Sequence, residues 1–483
     1  MIVINCVYSP FLNAVMQRHA SARRVLNLTI DLLVDFAIAV IIPICVILPR
    51  FMELDWKMLA FSESQTFNDV WLANTISEGR QTLVTSPIDY ISSLAPHFVG
   101  LSGLDIIKRI IQRYPPEAKV QPNTEGSSPL VASLSAIPPL THTSSYLSRE
   151  ERRTSTRYHI LYTIFTTFWA VGVITLHVLS FKHTGAIDCC ELYVNAWLST
   201  KLACSVVQIN CHRYKITGAR DELEVMLASF EAAALTKVTF SHCAALHIPP
   251  IVTTLRSLRG IEIYNSTLVS WPDAAKITSE TTPILIQMTF INTNFSVFPE
   301  GLLHADIPKK MAVMIHRSNL SELPSDIGDI WEHHYWPYFS VEYSKLRVLP
   351  ASFRKMQLHR LSLVYNALER LDDDAFVGQE LYRLRLSGNP LTSLPPSFGS
   401  GRMMQRVALE YTNLTALTPW LLEWWREAVM TKRSGLAFSL HGSPVCTNES
   451  NQAETVLPAD TSFTKQRVSL LSNCGSTPFL TAS

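Results

Sequence analysis

Three arginines recur at an even interval late in the chain: Arg360, Arg383 and Arg406. A fourth, Arg385, follows the second of them by two residues. Tyr343, Tyr365 and Tyr411 recur in a neighbouring phase, and His359 and Tyr382 stand immediately before Arg360 and Arg383. A guanidinium is a planar cation with five N–H donors, so it grips carboxylate or phosphate groups through paired hydrogen bonds. Aromatic faces hold such cations in place. Gathered on one surface, these side chains suit an anionic peptide, a terminal carboxylate or an acidic glycan. The same residues also fit a solvated charged surface balanced by Glu342 and Glu410. What positions them is the chain in between.

That chain repeats. From Leu381 it reads LYRLRLSGNPLTSLP, with leucines at Leu381, Leu384, Leu386, Leu391 and Leu394, then Asn389 and Pro395. This is the leucine-rich-repeat pattern L-x-x-L-x-L-x-x-N-x-L-x-x-L-P. Leu358, Leu361, Leu363, Asn366, Leu368 and Leu371 form an upstream copy; Met404, Val407, Leu409, Thr412, Leu414 and Leu417 form a downstream one. Weaker copies begin at Leu235, Leu258, Leu285, Lys310 and Trp336, and a partial one runs through Phe438 and Leu440. The total is about eight repeats, at spacings of about 22 to 27 residues, inside the range of this repeat class. The L-x-L core predicts a short strand with alternate residues inward. Position 9 carries a residue that bonds turn backbone: Asn366, Asn389, or the smaller Cys243, Ser266, Thr293, Ser318, Ser344 and Thr412. One repeat cannot bury its own apolar face, so the copies must stack into a solenoid.

Stacking sets the arginines side by side. Arg360, Arg383 and Arg406 share position 3, Arg385 takes position 5, and His359 and Tyr382 take position 2. Position 8 gives Tyr343, Tyr365 and Tyr411, interrupted by Gly388. Neighbouring strands lie about 5 Å apart, so equal positions form ladders on the concave face. Leu302, Ile327, Phe353 and Phe398 follow the closing proline and are expected to pack a helical turn on the convex side.

A solenoid needs covered ends. Cys189, Cys190, Cys204 and Cys211 precede the first repeat, and Cys446 and Cys474 follow the last. Disulfide-stapled caps are expected, with Cys446 to Cys474 at the C-terminal end and an open connectivity at the other, where Cys243 also competes. Seven cysteines there leave one over. His212 and His242 stand beside cysteines, but the spacing matches no zinc pattern. No metal, cofactor or enzymatic activity is expected, because no nucleophile, base and orienter come together.

The first third differs. Residues 25–48 and 158–181 are apolar stretches long enough to span a bilayer. Arg18, Arg23 and Arg24 precede the first, and Arg149, Arg152, Arg153 and Arg157 precede the last. Positive charge places both of those flanks in the cytoplasm. Both placements hold only with a crossing between them, and residues 82–107, containing Asp89, His97 and Asp105, offer a weak one or an interfacial helix. Asp31 and Asp35 lie one turn apart within the first span and are candidates for pairing with a partner or within the bundle. Residues 1–16 lack the basic leader of a cleavable signal peptide.

The repeats then face outside or the lumen. Sequons at Asn265, Asn294, Asn319, Asn413 and Asn448 fit that side, as do the cysteines. Asn265, at position 8, puts a glycan near the concave edge of the earlier repeats and directs the ligand to the later ones. The resulting plan is a cytoplasmic tail (1–24), a span (25–48), an external loop (49–81), the weak crossing (82–107), a disordered Pro/Ser/Thr-rich cytoplasmic loop (108–157), a span (158–181), a cysteine-containing cap (182–234), the repeats (235–434) and a C-terminal cap and tail (435–483). A net charge of +1 offers no case for nucleic acid.

The stretches LLVDFAIAVIIPICVILP, FWAVGVITLHVLSF, WLSTKLACSVVQINC, LHIPP and IEIYNSTLVSW carry a further likeness. With them the chain resembles leucine-rich-repeat membrane proteins of water moulds (oomycetes) that have N-terminal spans and no kinase. The resemblance implies a receptor-like surface protein; with the charge flanks and sequons, the expectation is a glycoprotein in the lipid bilayer of the plasma membrane with its repeats extracellular. The expected function is binding of a protein, peptide or glycan ligand, with signalling, if any, through membrane-embedded or cytosolic partners. Adhesion to a wall and an intracellular scaffold are the alternatives; the scaffold predicts bare sequons and reduced cysteines.

Overall fold

The computed structural model describes residues 188–446, apart from 195–198, 200, 400–402 and 431–436, together with parts of 26–78 and 161–179. The repeats build an 11-stranded sheet whose strands follow one another in chain order. They are β1 (Cys190–Tyr193), β2 (Cys204–Asn210), β3 (Lys237–Ser241), β4 (Gly260–Tyr264), β5 (Gln287–Ile291), β6 (Ala312–His316), β7 (Phe339–Glu342), β8 (Arg360–Ser362), β9 (Arg383–Arg385), β10 (Arg406–Ala408) and β11 (Ala437–Ser439). β1 runs antiparallel to β2 and closes that edge. Every later pair in this sheet is parallel.

The leucine positions explain the stacking. Leu361, Leu363, Leu384, Leu386, Val407 and Leu409 are fully buried, each contributing roughly 1.5–3 kcal/mol over exposure. Asn389 Nδ2 donates to Leu363 O at 2.7 Å and Leu386 O at 2.8 Å, and its Oδ1 accepts from Leu368 N. Asn366 ties its own repeat to the preceding one in the same way, through Val341 O and Leu346 N. Where position 9 is smaller the bonding persists. Thr412 donates to Leu409 O, Thr293 to Ile263 O, and Ser266 accepts from Cys243 N. These buried backbone groups would otherwise lack partners.

On the convex side the prolines start the turns. Pro272, Pro299 and Pro350 sit in extended conformation just before the 3-10 turns Asp273–Ala275, Glu300–Leu302 and Ala351–Lys355; their fixed φ suits a helix start. Leu302 and Phe353 are buried in such turns and Ile327 in the short α-helix Ile327–Ile330, as expected, and Phe398 stacks on Trp420 at 4.4 Å. After the last full repeat the turn grows into a helix, Pro419–Met430, whose Trp424 and Trp425 pack on Phe438.

The cap contains a hidden rung. β2 joins the parallel ladder in register with β3, Val207 beside Val238 and Ile209 beside Phe240. Disulfides staple it on both sides: Cys190 to Cys204 joins β1 to β2, and Cys211 to Cys243 joins the end of β2 to position 9 of the next repeat. Cys189 is the free cysteine of this region and is buried; burial pushes its thiol up. Cys446 is disulfide-bonded, while Cys474 lies outside the described residues.

In the N-terminal unit a π-helical turn, Ala37–Ile41, leads into the helix Ile42–Glu53. That helix runs through Pro49 beyond the expected end at residue 48, and Arg50 there binds Glu53 and Glu78. Residues 167–179 are also helical. Among the described residues no helix is long and apolar enough to cross a membrane. The apolar stretches 25–48 and 158–181 lie partly outside the described residues; Asp31, Asp35, Asn448, and all of 82–107 and 108–157 lie wholly outside them.

Candidate functional site: the concave arginine face

The parallel register places Arg360 beside Arg383 and Arg383 beside Arg406. Arg385 lies beside Ser362 on one side and Ala408 on the other. Leu384 points into the core between Arg383 and Arg385, so both arginines emerge on the concave face. All four are partly exposed.

Aromatic rings flank this ladder at the start of the strands. His359 stacks on Tyr382 at 5.1 Å, Tyr335 lies against His359 at 5.9 Å, and the Arg360 guanidinium sits 5.5 Å above the Tyr382 ring. The Tyr382 hydroxyl donates to Gln405 Oε1 at 2.6 Å. Burial, aided by the Arg360 charge, holds His359 below the ordinary histidine range, so it is neutral at neutral pH. Tyr335 belongs to the wall but has no place in the repeat pattern, which is why spacing alone missed it.

At the other end of the strands lies a second ladder. The position-8 residues His242, Asn265, Asn292, Arg317, Tyr343, Tyr365 and Tyr411 all adopt left-handed backbone conformation. For residues other than glycine, this costs of order 1–3 kcal/mol each. Tyr343 and Tyr365 stack at 4.8 Å, and Arg317 lies over Tyr343. Gly388 interrupts the tyrosines but keeps the left-handed backbone of this ladder. Its φ is +73°, and a Cβ there would come within 2.4 Å of the Tyr365 ring, so the glycine seats that ring. Asparagine and glycine recurring at position 8 were the sequence signal for this turn. Burial raises the Tyr365 hydroxyl, with Tyr343, Tyr411 and Glu410 adding to it.

Two carboxylates sit under the face. Glu342 and Glu410 are 6% and 1% exposed. Ser387 donates to Glu410 at 2.8 Å. Ser362 donates to Glu342, and Arg385 Nη1 lies 3.4 Å from the same oxygen. The arrangement is therefore an in-register row of guanidiniums over partly compensating acids, able to hold an anion by paired hydrogen bonds.

Of the described sequon asparagines, Asn265 sits at position 8 and Asn294, Asn319 and Asn413 at position 10, and all are exposed. Asn265 Nδ2 meets His242 Nδ1 at 2.8 Å, Asn292 donates to Asn265, and Asn319 donates to Asn294.

Strand order, register and the position-9 bonds define a leucine-rich-repeat solenoid, an architecture suited to protein interaction. No family model and no curated protein matches the chain. Solved structures do. A leucine-rich-repeat protein of Leptospira interrogans matches with a TM-score of 0.33 at 15% identity, over 44% of this chain and 56% of that one. The leucine-rich-repeat domain of the type III effector XopL matches with a TM-score of 0.29 at 17% identity, over 40% of this chain and 66% of that one. The match thus spans less than two thirds of either neighbour's length.

Proposed function

We propose that the chain is a membrane-anchored, receptor-like protein whose solenoid faces outside and binds an anionic peptide, protein segment or acidic glycan on its later repeats. The in-register row Arg360, Arg383 and Arg406 carries this reading. Arg385 and the Tyr335, His359 and Tyr382 wall complete the surface. Signalling, on this reading, passes through a membrane-embedded or cytosolic partner. Anchoring is supported by the apolar stretches 25–48 and 158–181 and by the basic residues before each. The outside placement is supported by the sequons and by the cap disulfides.

Two measurements test it. Binding of the full-length chain to acidic and neutral versions of one glycan, and of one peptide, checks the ligand chemistry; equal binding of acidic and neutral forms would end the anionic reading. An N-glycosidase gel shift on the same protein, followed by protease protection, checks the topology. Unshifted protein with protease-accessible cytosolic repeats would move the reading to an intracellular scaffold.

A further inference from the structure

One buried carboxylate on the concave face is contacted from three neighbouring repeats. Glu342 ends β7. Ser362 Oγ, from β8, donates to its Oε1, and Arg385 Nη1, from β9, lies 3.4 Å from that oxygen. His316 is the in-register neighbour of Glu342 on β6, and its Nδ1 lies 3.6 Å from Oε2. Arg385 can reach Glu342 because Ser362, on the strand between them, is small. It therefore lies across β8 towards β7 and away from Arg406.

A carboxylate this buried needs a cation. At neutral pH Arg385 supplies it. His316 is then uncharged, because burial presses it below the ordinary histidine range; Glu342 pulls the other way, and Arg385 and Arg317 press it down further. Among the described residues the charged groups that bear on it are Glu342, Arg385 and Arg317, the last turned over the Tyr343 ring, while β5 presents the uncharged Ile291 beside it.

We infer that Glu342 is contested by two cations, and that a proton on His316 releases Arg385 to the arginine row, so that acidification tightens the hold on an anionic ligand. This rests on the reading of that row as an anion site. The step takes up one proton at His316 Nδ1. The imidazolium then pairs with Glu342 from the adjacent strand. Arg385 joins Arg383 and Arg406 and adds a fourth cation to the face. Proton uptake and ligand binding each favour the other, because linkage is reciprocal.

The test is binding of the full-length chain to dextran sulfate, whose sulfates keep their charge across the range, at fixed ionic strength. Affinity is expected to rise about fivefold or more between about pH 7.5 and about pH 5.5, the scale of ordinary coupling and the range in which histidine titrates. His316→Gln should match the native chain at the higher pH and lose the rise. Arg385→Gln should lose it too, whereas Glu342→Gln should bind tightly at both. If Glu342→Gln fails to fold, the part-exposed His316 position still decides the matter. Persistence of the full rise in His316→Gln, or binding that ignores pH in the native chain, overturns the inference and leaves the arginine row standing. No binding of dextran sulfate at any pH sinks the row itself, and the inference with it.

Discussion

The two halves of the concave face handle charge differently. In the earlier half Lys237 lies along Gly260 and its Nζ meets Glu262 at 2.6 Å. Across the remaining positions 3 and 5 of β3 to β6 stand Thr239, Gln287, Thr289, Ala312 and Met314, all uncharged. At these positions that half is neutral. In the later half, four guanidiniums stand over Glu342 and Glu410. The same device recurs in both, a long cation laid over a small residue to reach an acid: Gly260 permits it for Lys237 and Ser362 for Arg385. At positions 3 and 5, only the later half carries more cations than acids. An excess of like charge on one rigid surface is unfavourable until an anion arrives, which is the physical case for placing the ligand there.

The largest expected effect follows from that excess. Arg383→Glu with Arg406→Glu should weaken polyanion binding by about a hundredfold or more, the scale of losing close charge pairs. Lys237→Glu, in the neutral half, should change it less than about twofold. Titration of the two variants side by side checks the contrast, and equal losses would erase it.

Stability divides along the same line. Cys211→Ser with Cys243→Ser opens the staple between β2 and β3 and should cost about 2–5 kcal/mol, read by urea unfolding, without weakening polyanion binding at the far end. In the later half, Asn389→Ala strips partners from three buried backbone groups and should cost about 3 kcal/mol. Thr412→Val, which loses fewer bonds, should cost about 1 kcal/mol.

A pH effect is smaller. The folded chain binds a proton at His316 less readily than the unfolded chain, since burial lowers its affinity. Stability from this group therefore falls as pH drops below the ordinary histidine range. His316→Gln should flatten that part of the stability-against-pH curve; an unchanged slope would assign it elsewhere. The smallest effect belongs to the convex surface. Arg354 and Asp374 pair there with both side chains nearly half exposed, so Asp374→Ala should cost under about 1 kcal/mol by thermal melting.

The arginine row was legible because it depends only on equal positions in successive repeats, and the parallel register preserves them. The position-9 bonds were legible for the same reason. What escaped depends on neighbours across the sheet. Arg385 crosses a strand to Glu342; the register puts Ser362 between them, but spacing does not say that a position-5 side chain will reach a position-7 acid two strands away. Gly388 read as a gap in the tyrosines, although it is the seat of the ring before it. The rung at β2 was hidden inside the cap because SVVQIN carries two inward residues and no leucine. The helix Pro419–Met430 replaces the usual short turn with tryptophans, so it broke the pattern. Cap connectivity was open until folding brought Cys243 to Cys211.

The central claim is that the later half of the concave face holds the ligand. Hydrogen–deuterium exchange of the full-length chain with and without dextran sulfate tests it directly. Protection should concentrate on β8 to β10 and their following turns, with β3 to β5 unchanged. Protection centred on β3 to β5, or spread evenly along the sheet, would contradict it.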